Sequence, residues 1–399
     1  MPVQPLTPEK LRHTVDPNLF TFETTAELPP STHIIGQPRG THAIEFGIGI
    51  QSQGYNIYIL GPMGTGRATA IERFLQDRTA TQPPPEDWIY VHNFSLPHQP
   101  RAIELPAGQG SVFQARMAAL IARISEDLPT AFETETYKDA IQAARNAFDT
   151  QQDALLMALQ EKATAQGFGL IKTASGVTIA PVRHGQQLTP TELQNMSLAE
   201  QQELENLLEA LSEELEETLY QIYQLETGMR QQIQEIDRTV AEAAVQHHFA
   251  ELHETYQAHP EVLLYLDEVH QDVLDQIDDF APQLDSDEEI NLRRYEVNLV
   301  VDNNKTDGAP VIVEQNPTYN TLFGRLEYEM ESGVVFTHFT NIKAGSLHRA
   351  NGGYLIMQAT DLLKNPEAWE ALKRALRGQE IQIVPYATMD DTRVLAKSL

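Results

Sequence analysis

Gly61 and Gly66 bracket four residues, and Arg67, Ala68 and Thr69 follow them. This is the spacing of a phosphate-binding loop, G-x-x-x-x-G-K-[ST]. In that loop backbone N–H groups cradle phosphates, the Lys reaches the terminal oxygens and the hydroxyl holds Mg²⁺. The full run is Gly61, Pro62, Met63, Gly64, Thr65, Gly66, Arg67, Ala68 and Thr69. Arg67 stands where the Lys belongs and Ala68 where the hydroxyl belongs. The cradle is kept, and the two side chains that act on a nucleotide are replaced. ATP or ADP is the ligand such a loop takes. Hydrolysis is not expected, nor any metal beyond nucleotide-associated Mg²⁺. A glycine-rich strand–helix turn that binds no nucleotide is the competing reading.

Hydrolysis needs a second set of residues: an apolar strand ending in Asp-Glu, one carboxylate for Mg²⁺ and one for the attacking water. Leu264-Tyr265-Leu266-Asp267-Glu268 has the right letters. Pro260, however, suits the first turn of a helix, and Val262, Leu266, Val269, Val273, Ile277 and Phe280 continue at helical spacing. A helix is expected, with Asp267 and Glu268 as solvated charges on it. The better candidate is Tyr354-Leu355-Ile356-Met357 after Gly352-Gly353, read as a buried strand ending at Gln358 and Ala359. An amide coordinates Mg²⁺ poorly and a methyl cannot orient water. Both motifs keep the residues that build a fold and lack those that do chemistry.

Three other groups could carry function. His247-His248 lies in a helical stretch, where adjacent side chains project to different faces, so no shared metal site is expected. Arg374 and Arg377 share a helix face and either reach a neighbouring subunit's nucleotide or pair with carboxylates. Phe336 and Phe339, in Phe336-Thr337-His338-Phe339-Thr340, belong either to a polypeptide-gripping loop or to an ordinary strand.

The elements that must position these residues fall into three segments. Residues 1–110 read as mixed α/β: a Pro-rich entry, Ile34-Ile35-Gly36-Gln37, the phosphate loop with a strand at Tyr55–Leu60, a break at Pro83-Pro84-Pro85 and a second strand at Trp88–Val91. Residues 111–282 read as a helical arm. Leu204, Leu208, Leu211, Leu215, Leu219, Ile222, Met229, Ile233, Ile236 and Val240 form the stripe of a long helix in an antiparallel coiled coil. Ile141, Phe148, Leu155 and Leu159 supply its partner, and a hairpin near 168–183 joins the two. From 283 to 399 the α/β pattern returns. The arm reads as an insertion, removable over roughly 125–280 without unfolding the α/β core.

Composition bounds the partners. Lys+Arg 28 against Asp+Glu 57 gives a net charge of −29, which argues against nucleic acid and anionic membranes. No stretch approaches the about 20 apolar residues of a bilayer span, and the amino-terminal residues lack a signal-peptide apolar region. With Cys 0, thiol catalysis and disulfides are excluded, which is compatible with a cytoplasmic location.

Several segments carry a resemblance. Ile34-Ile35-Gly36-Gln37, the phosphate loop and Trp88-Ile89-Tyr90-Val91-His92-Asn93-Phe94 resemble the amino-terminal half of a Lon-like protease. So do Leu322-Phe323-Gly324-Arg325-Leu326-Glu327-Tyr328 and Gly345-Ser346-Leu347-His348-Arg349-Ala350-Asn351-Gly352-Gly353-Tyr354-Leu355. Nearest is the branch that includes the LonC type, in which a helical arm interrupts an AAA+ module with degenerate ATPase motifs. The resemblance implies an AAA+-like parallel-sheet fold and a hexameric ring that receives unfolded polypeptide. In the AAA+ pattern A-x-G-G-x-L-x-x-D-E, Gln358 takes the Asp position and Ala359 the Glu position. Family members cut peptides with a Ser-Lys dyad in a carboxy-terminal domain, which is expected to lie beyond Leu399. Lys397 beside Ser398 reads as chain end rather than dyad. The alternative is a pseudo-ATPase scaffold assembling complexes through its arm. A weaker one is an ATPase using Arg67 and Thr69 as substitutes.

Overall fold

The computed structural model describes residues 5–28, 38–50, 54–62, 67–173, 176–183, 186–189, 193, 196–280, 292–331, 334–383 and 394–396. Helices α1 (Pro38–Gly49) and α2 (Arg67–Thr79) precede strands β1 (Asp87–Val91) and β2 (Arg101–Leu105). A helical stretch follows, with α3 (Gln109–Phe132) and α4 (Glu135–Ala165). The antiparallel β3 (Phe168–Thr173) and β4 (Gly176–Arg183) come next, extended by β5 (Gln186–Gln187). Then come α5 (Leu198–Thr255) and α6 (Pro260–Asp275). Local chemistry sets these starts. Ser197 and Glu200 form a reciprocal capping box at α5, and Pro260 occupies the first turn of α6. The expected helix through Asp267 and Glu268 is therefore present.

The remainder is built of short elements. They are β6 (Asn298–Val301), β7 (Val311–Glu314), α7 (Tyr319–Phe323), β8 (Arg325–Leu326), β9 (Glu329–Glu331) and β10 (Val334–Phe336). After them run β11 (Ile342–Lys343), α8 (Ser346–Arg349), β12 (Tyr354–Met357), α9 (Ala359–Leu362), α10 (Pro366–Gly378), β13 (Ile381–Ile383) and β14 (Val394–Ala396). The fold mixes helix and sheet.

One sheet, ordered β2-β1-β6, separates two cores. Alternation along its strands decides which residue joins which core. Ile89, Val91, Ile103 and Leu105 face a helical layer made by α3, α6 and the last third of α5. Tyr90, Ala102 and Val300 face the opposite side, where Leu322, Phe323, Phe339, Leu372 and Ile381 pack. Asp87 fixes the end of this sheet: fully buried, it accepts N–H bonds from Gly110 (2.8 Å) and Asn303 (2.7 Å). A third core, with Leu159, Ala163, Phe168, Ile179, Leu211 and Leu215, sits where α4 and α5 meet the hairpin.

The helices α4 and α5 run antiparallel: Tyr137 donates to Asp237 (2.8 Å) at one end, and Lys162 pairs with Glu214 (2.9 Å) near the other. This pair projects from the base, but 111–282 as a whole does not stand apart from the sheet. Its beginning and its last third are the helical layer against β1 and β2. The expected removable span 125–280 therefore contains part of this layer, whereas the portion beyond the Tyr137–Asp237 contact contributes none of its buried residues.

The expected parallel-sheet module differs from what is observed. Strand β1 is antiparallel to both neighbours, and for β2 the 92–100 connection is too short for a crossover. The one parallel pair among the described residues is β7–β12, whose long 315–353 connection allows it. Its strand β12 is half-buried rather than buried. Gly353 lets it start tightly: a Cβ there would collide with the Pro310 carbonyl oxygen, which accepts the Tyr354 N–H (2.8 Å). Tyr55–Leu60 is not a strand. Tyr55, Ile57, Tyr58 and Leu60 are exposed, and without a neighbouring ladder a strand leaves backbone groups unpaired. Ile34–Gln37 lies outside the described residues.

Candidate functional site

In an α/β sheet, ligands bind beyond the carboxyl ends of parallel strands, and helix N-termini there attract anions. Here that place is the end of β7 and β12. Helix α2 packs against β7, and its last residue, Thr79, accepts the Ala309 N–H (3.2 Å) just before β7 begins. The two elements run in opposite directions, so the first turn of α2, with Arg67, Ala68 and Thr69, points toward the side where the strands end. Arg67 is half-buried, while Ala68 and Thr69 are exposed. Of the loop itself, Gly61 and Pro62 belong to no helix or strand, and Met63, Gly64, Thr65 and Gly66 lie outside the described residues.

At the strand ends, Gln358 is exposed and Ala359 opens α9. The carboxylate beside them is Glu314, which ends β7 and was not singled out by sequence. It is already engaged: the Ser346 hydroxyl donates to Oε2, and the Asn316 N–H donates to Oε1 (2.9 Å). Arg349 donates to the fully buried Ser346 Oγ (3.1 Å). Next to them His348 Nδ1 accepts the Gly345 N–H (3.2 Å), while Nε2 is buried without a partner. Burial pushes the His348 imidazole down to about 4, so it is neutral at pH 7. The arrangement offers an anion a helix end and Arg67. It offers Mg²⁺ and an attacking water no free carboxylate among the residues named.

The other candidates separate. Asp267 pairs with His253 (2.7 Å). Glu268 is not a solvated charge: it forms a 2.9 Å pair with Arg101 of β2, packed beside the buried Tyr265 hydroxyl. Burial raises the Tyr265 phenol strongly, so that hydroxyl stays protonated. The rest of the network is ionic, with Arg294 between Asp272 (2.7 Å) and Asp279 (2.6 Å), and Tyr295 donating to Asp272 (2.7 Å). Two guanidinium groups serve three carboxylates here, and the Arg101–Glu268 pair ties α6 to β2. The signal sequence lacked is the partner, Arg101, far away in the chain.

Phe339 is not on a gripping loop in this structure. It is 9% exposed, within the core on the far side of the sheet, with its ring 4.3 Å from that of His338 and 6.2 Å from that of His92. Phe336 is half-buried at the end of β10. The exposed apolar residues here are Met330, 75% exposed on β9, and Tyr328 just before it. Arg374 and Arg377 are exposed on α10 and make no ion pair with the described residues. Lys397 and Ser398 lie outside the described residues. Among the described residues, no helix is long and apolar enough to cross a membrane.

Two family models match the chain. One, described as LonB-like, AAA domain, matches residues 307–397, the part that holds β7, β12 and Gln358-Ala359. The other, described as Lon-like LonC helical domain, matches residues 87–120, which are β1, β2 and the first half of α3. The two matches support a Lon-like family protein. The second straddles the boundary expected near 110, as does the core that joins β1 and β2 to α3. No curated protein matches the chain.

Proposed function

We propose that this chain is the amino-terminal, substrate-handling and ring-forming module of a Lon-like serine protease, and that it does not turn over ATP. The observation carrying the second half is the end of the parallel pair. Gln358 and Ala359 stand where carboxylates must be, and both oxygens of neighbouring Glu314 are taken by Ser346 and Asn316. Phosphoryl transfer to water depends on a placed metal ion and an oriented nucleophile, and these residues supply neither. The α2 terminus and Arg67 still suit a bound phosphate, so nucleotide acts here as a static ligand.

Substrate handling rests on exposed apolar side chains in two places. Met330 and Tyr328 stand out near β9, and Met157, Leu219, Tyr220 and Tyr223 are exposed on α4 and α5. Flexible methionines and amphipathic tyrosines suit weak contacts with many unfolded chains better than one tight partner. In this reading the module boundary moves from residue 110 to the proline run before β1, because β1 and β2 share a core with the helices. The test is phosphate release from Mg²⁺-ATP by the purified chain beside its Arg67→Ala variant. Background rates in both agree with the proposal. Turnover that Arg67→Ala abolishes refutes it.

A further inference from the structure

The geometry points to a binding site for one divalent transition-metal ion of the zinc class, held by Asp127 of α3 with His247 and His248 of α5. One ligand atom from each of the three lies within 4.8 Å of the others. The site is independent of the protease reading, and it revises the expectation that adjacent histidines cannot share a metal. Their Cβ atoms do diverge around the helix, but the side chains lean back along it, and the two rings lie 3.7 Å apart with 41° between their planes.

Two helices create the site. Helices α3 and α5 pass each other in opposite directions, with Arg116 on Thr255 (3.0 Å), Arg123 facing Glu251 (3.7 Å) and Asp127 on His248 (2.7 Å). His248 is buried, 8% exposed, which fixes one imidazole. His247 and Asp127 are exposed and able to adjust. Among the described residues the His247 ring has no hydrogen-bond partner. Bonds of about 2.0–2.2 Å in a tetrahedron put ligand atoms about 3.3–3.6 Å apart. The 2.7 Å Asp127–His248 bond must open slightly, and the other ligand atoms, all within 4.8 Å of one another, are brought to bonding distance by rotation of exposed side chains. Two imidazoles and a carboxylate are a borderline donor set that selects zinc-class ions over Mg²⁺ or Ca²⁺, and water completes the fourth position. The plain alternative is a His248–Asp127 hydrogen bond with His247 merely stacked on it.

The site's position gives the ion a task. Asp127 lies one to two turns before the α3–α4 elbow at Glu133 and Thr134. A metal there would clamp α3 to α5 where the α4–α5 pair leaves the base, and fix the direction in which the arm projects.

The experiment titrates the full chain with Zn²⁺ and with Co²⁺, in phosphate-free buffer, by calorimetry, visible absorption and thermal melting. The wild type should bind one tight equivalent, show the absorption of low-coordinate Co²⁺, and gain about 3–6 °C in melting temperature with Zn²⁺. His247→Ala removes an exposed ligand and leaves the His248–Asp127 bond. It should melt like the wild type without metal, yet lose at least about tenfold in Zn²⁺ affinity together with the melting shift. Asp127→Asn should lose affinity likewise. The chain has His 13, so stray sites are a real competitor. Equal binding by wild type and His247→Ala, or no tight equivalent in the wild type, overturns the proposal.

Discussion

Replacing residues 138–236 with a short Gly/Ser linker should leave a cooperatively folding protein, whereas replacing 125–280 should not. Tyr137 and Asp237 are joined by a 2.8 Å hydrogen bond, so the two backbones at the junction are already within side-chain reach. A linker of about six Gly/Ser residues spans roughly 12–15 Å and can close the gap. The shorter deletion removes the core at the hairpin and none of the 24 buried residues of the helical core on the sheet. The longer deletion removes 13 of those 24, from Leu128 to Phe280. At about 1.5–3 kcal/mol for each large side chain, that is on the order of 20–40 kcal/mol of apolar transfer. Whole domains are stable by only about 5–15 kcal/mol. Thermal melting followed by circular dichroism separates the two cases, and binding of a denatured model protein should weaken in the shorter deletion. A cooperative melt for the longer deletion, or none for the shorter, would refute this assignment of the base and the arm.

Other outcomes follow from single side chains. Burial holds His348 down to about 4, so the unfolded chain takes up that proton first as pH falls. Stability is therefore unaffected by this group above about pH 6.5, and falls by up to about 3 kcal/mol toward pH 4. Urea melts should show a shallower pH slope in His348→Gln, and an unchanged slope would contradict the burial argument. Phe339→Ala should destabilise by about 3–5 kcal/mol through a core cavity. Met330→Ser should change stability by less than about 0.5 kcal/mol and weaken binding of unfolded polypeptide, as judged by chemical denaturation and anisotropy. The reverse pattern would restore Phe339 as the contact residue. Incubation with unfolded casein should yield no cleavage, and cleavage surviving Ser398→Ala would reveal a nucleophile elsewhere in the chain.

What sequence could convey was local. Pro260 and the three-and-four spacing after it disclosed α6, and the apolar runs around Ser175-Gly176 disclosed the β3–β4 hairpin. Tyr55–Leu60 misled for a physical reason: an apolar run states that a strand is allowed, while a ladder needs a neighbour that no local pattern specifies. Glu268 was misplaced in the same way, since its environment is set by Arg101, and Phe339 was left between a loop and a strand because period and composition do not say which face is covered. The meeting of Asp127 with His247 and His248 depends on a helix crossing and on side-chain rotamers, neither of which is written in spacing. Of the phosphate site, the altered residues were legible, but the engagement of Glu314 by Ser346 was not.

The most direct measurement of the central claim follows a fluorescently labelled unfolded polypeptide binding to the purified chain, with and without Mg²⁺-ATP, while phosphate release is recorded in the same sample. Weak, saturable binding that persists without nucleotide, with phosphate release at background, is the predicted result. No binding of the polypeptide, or binding that appears only while ATP is being hydrolysed, would contradict the account.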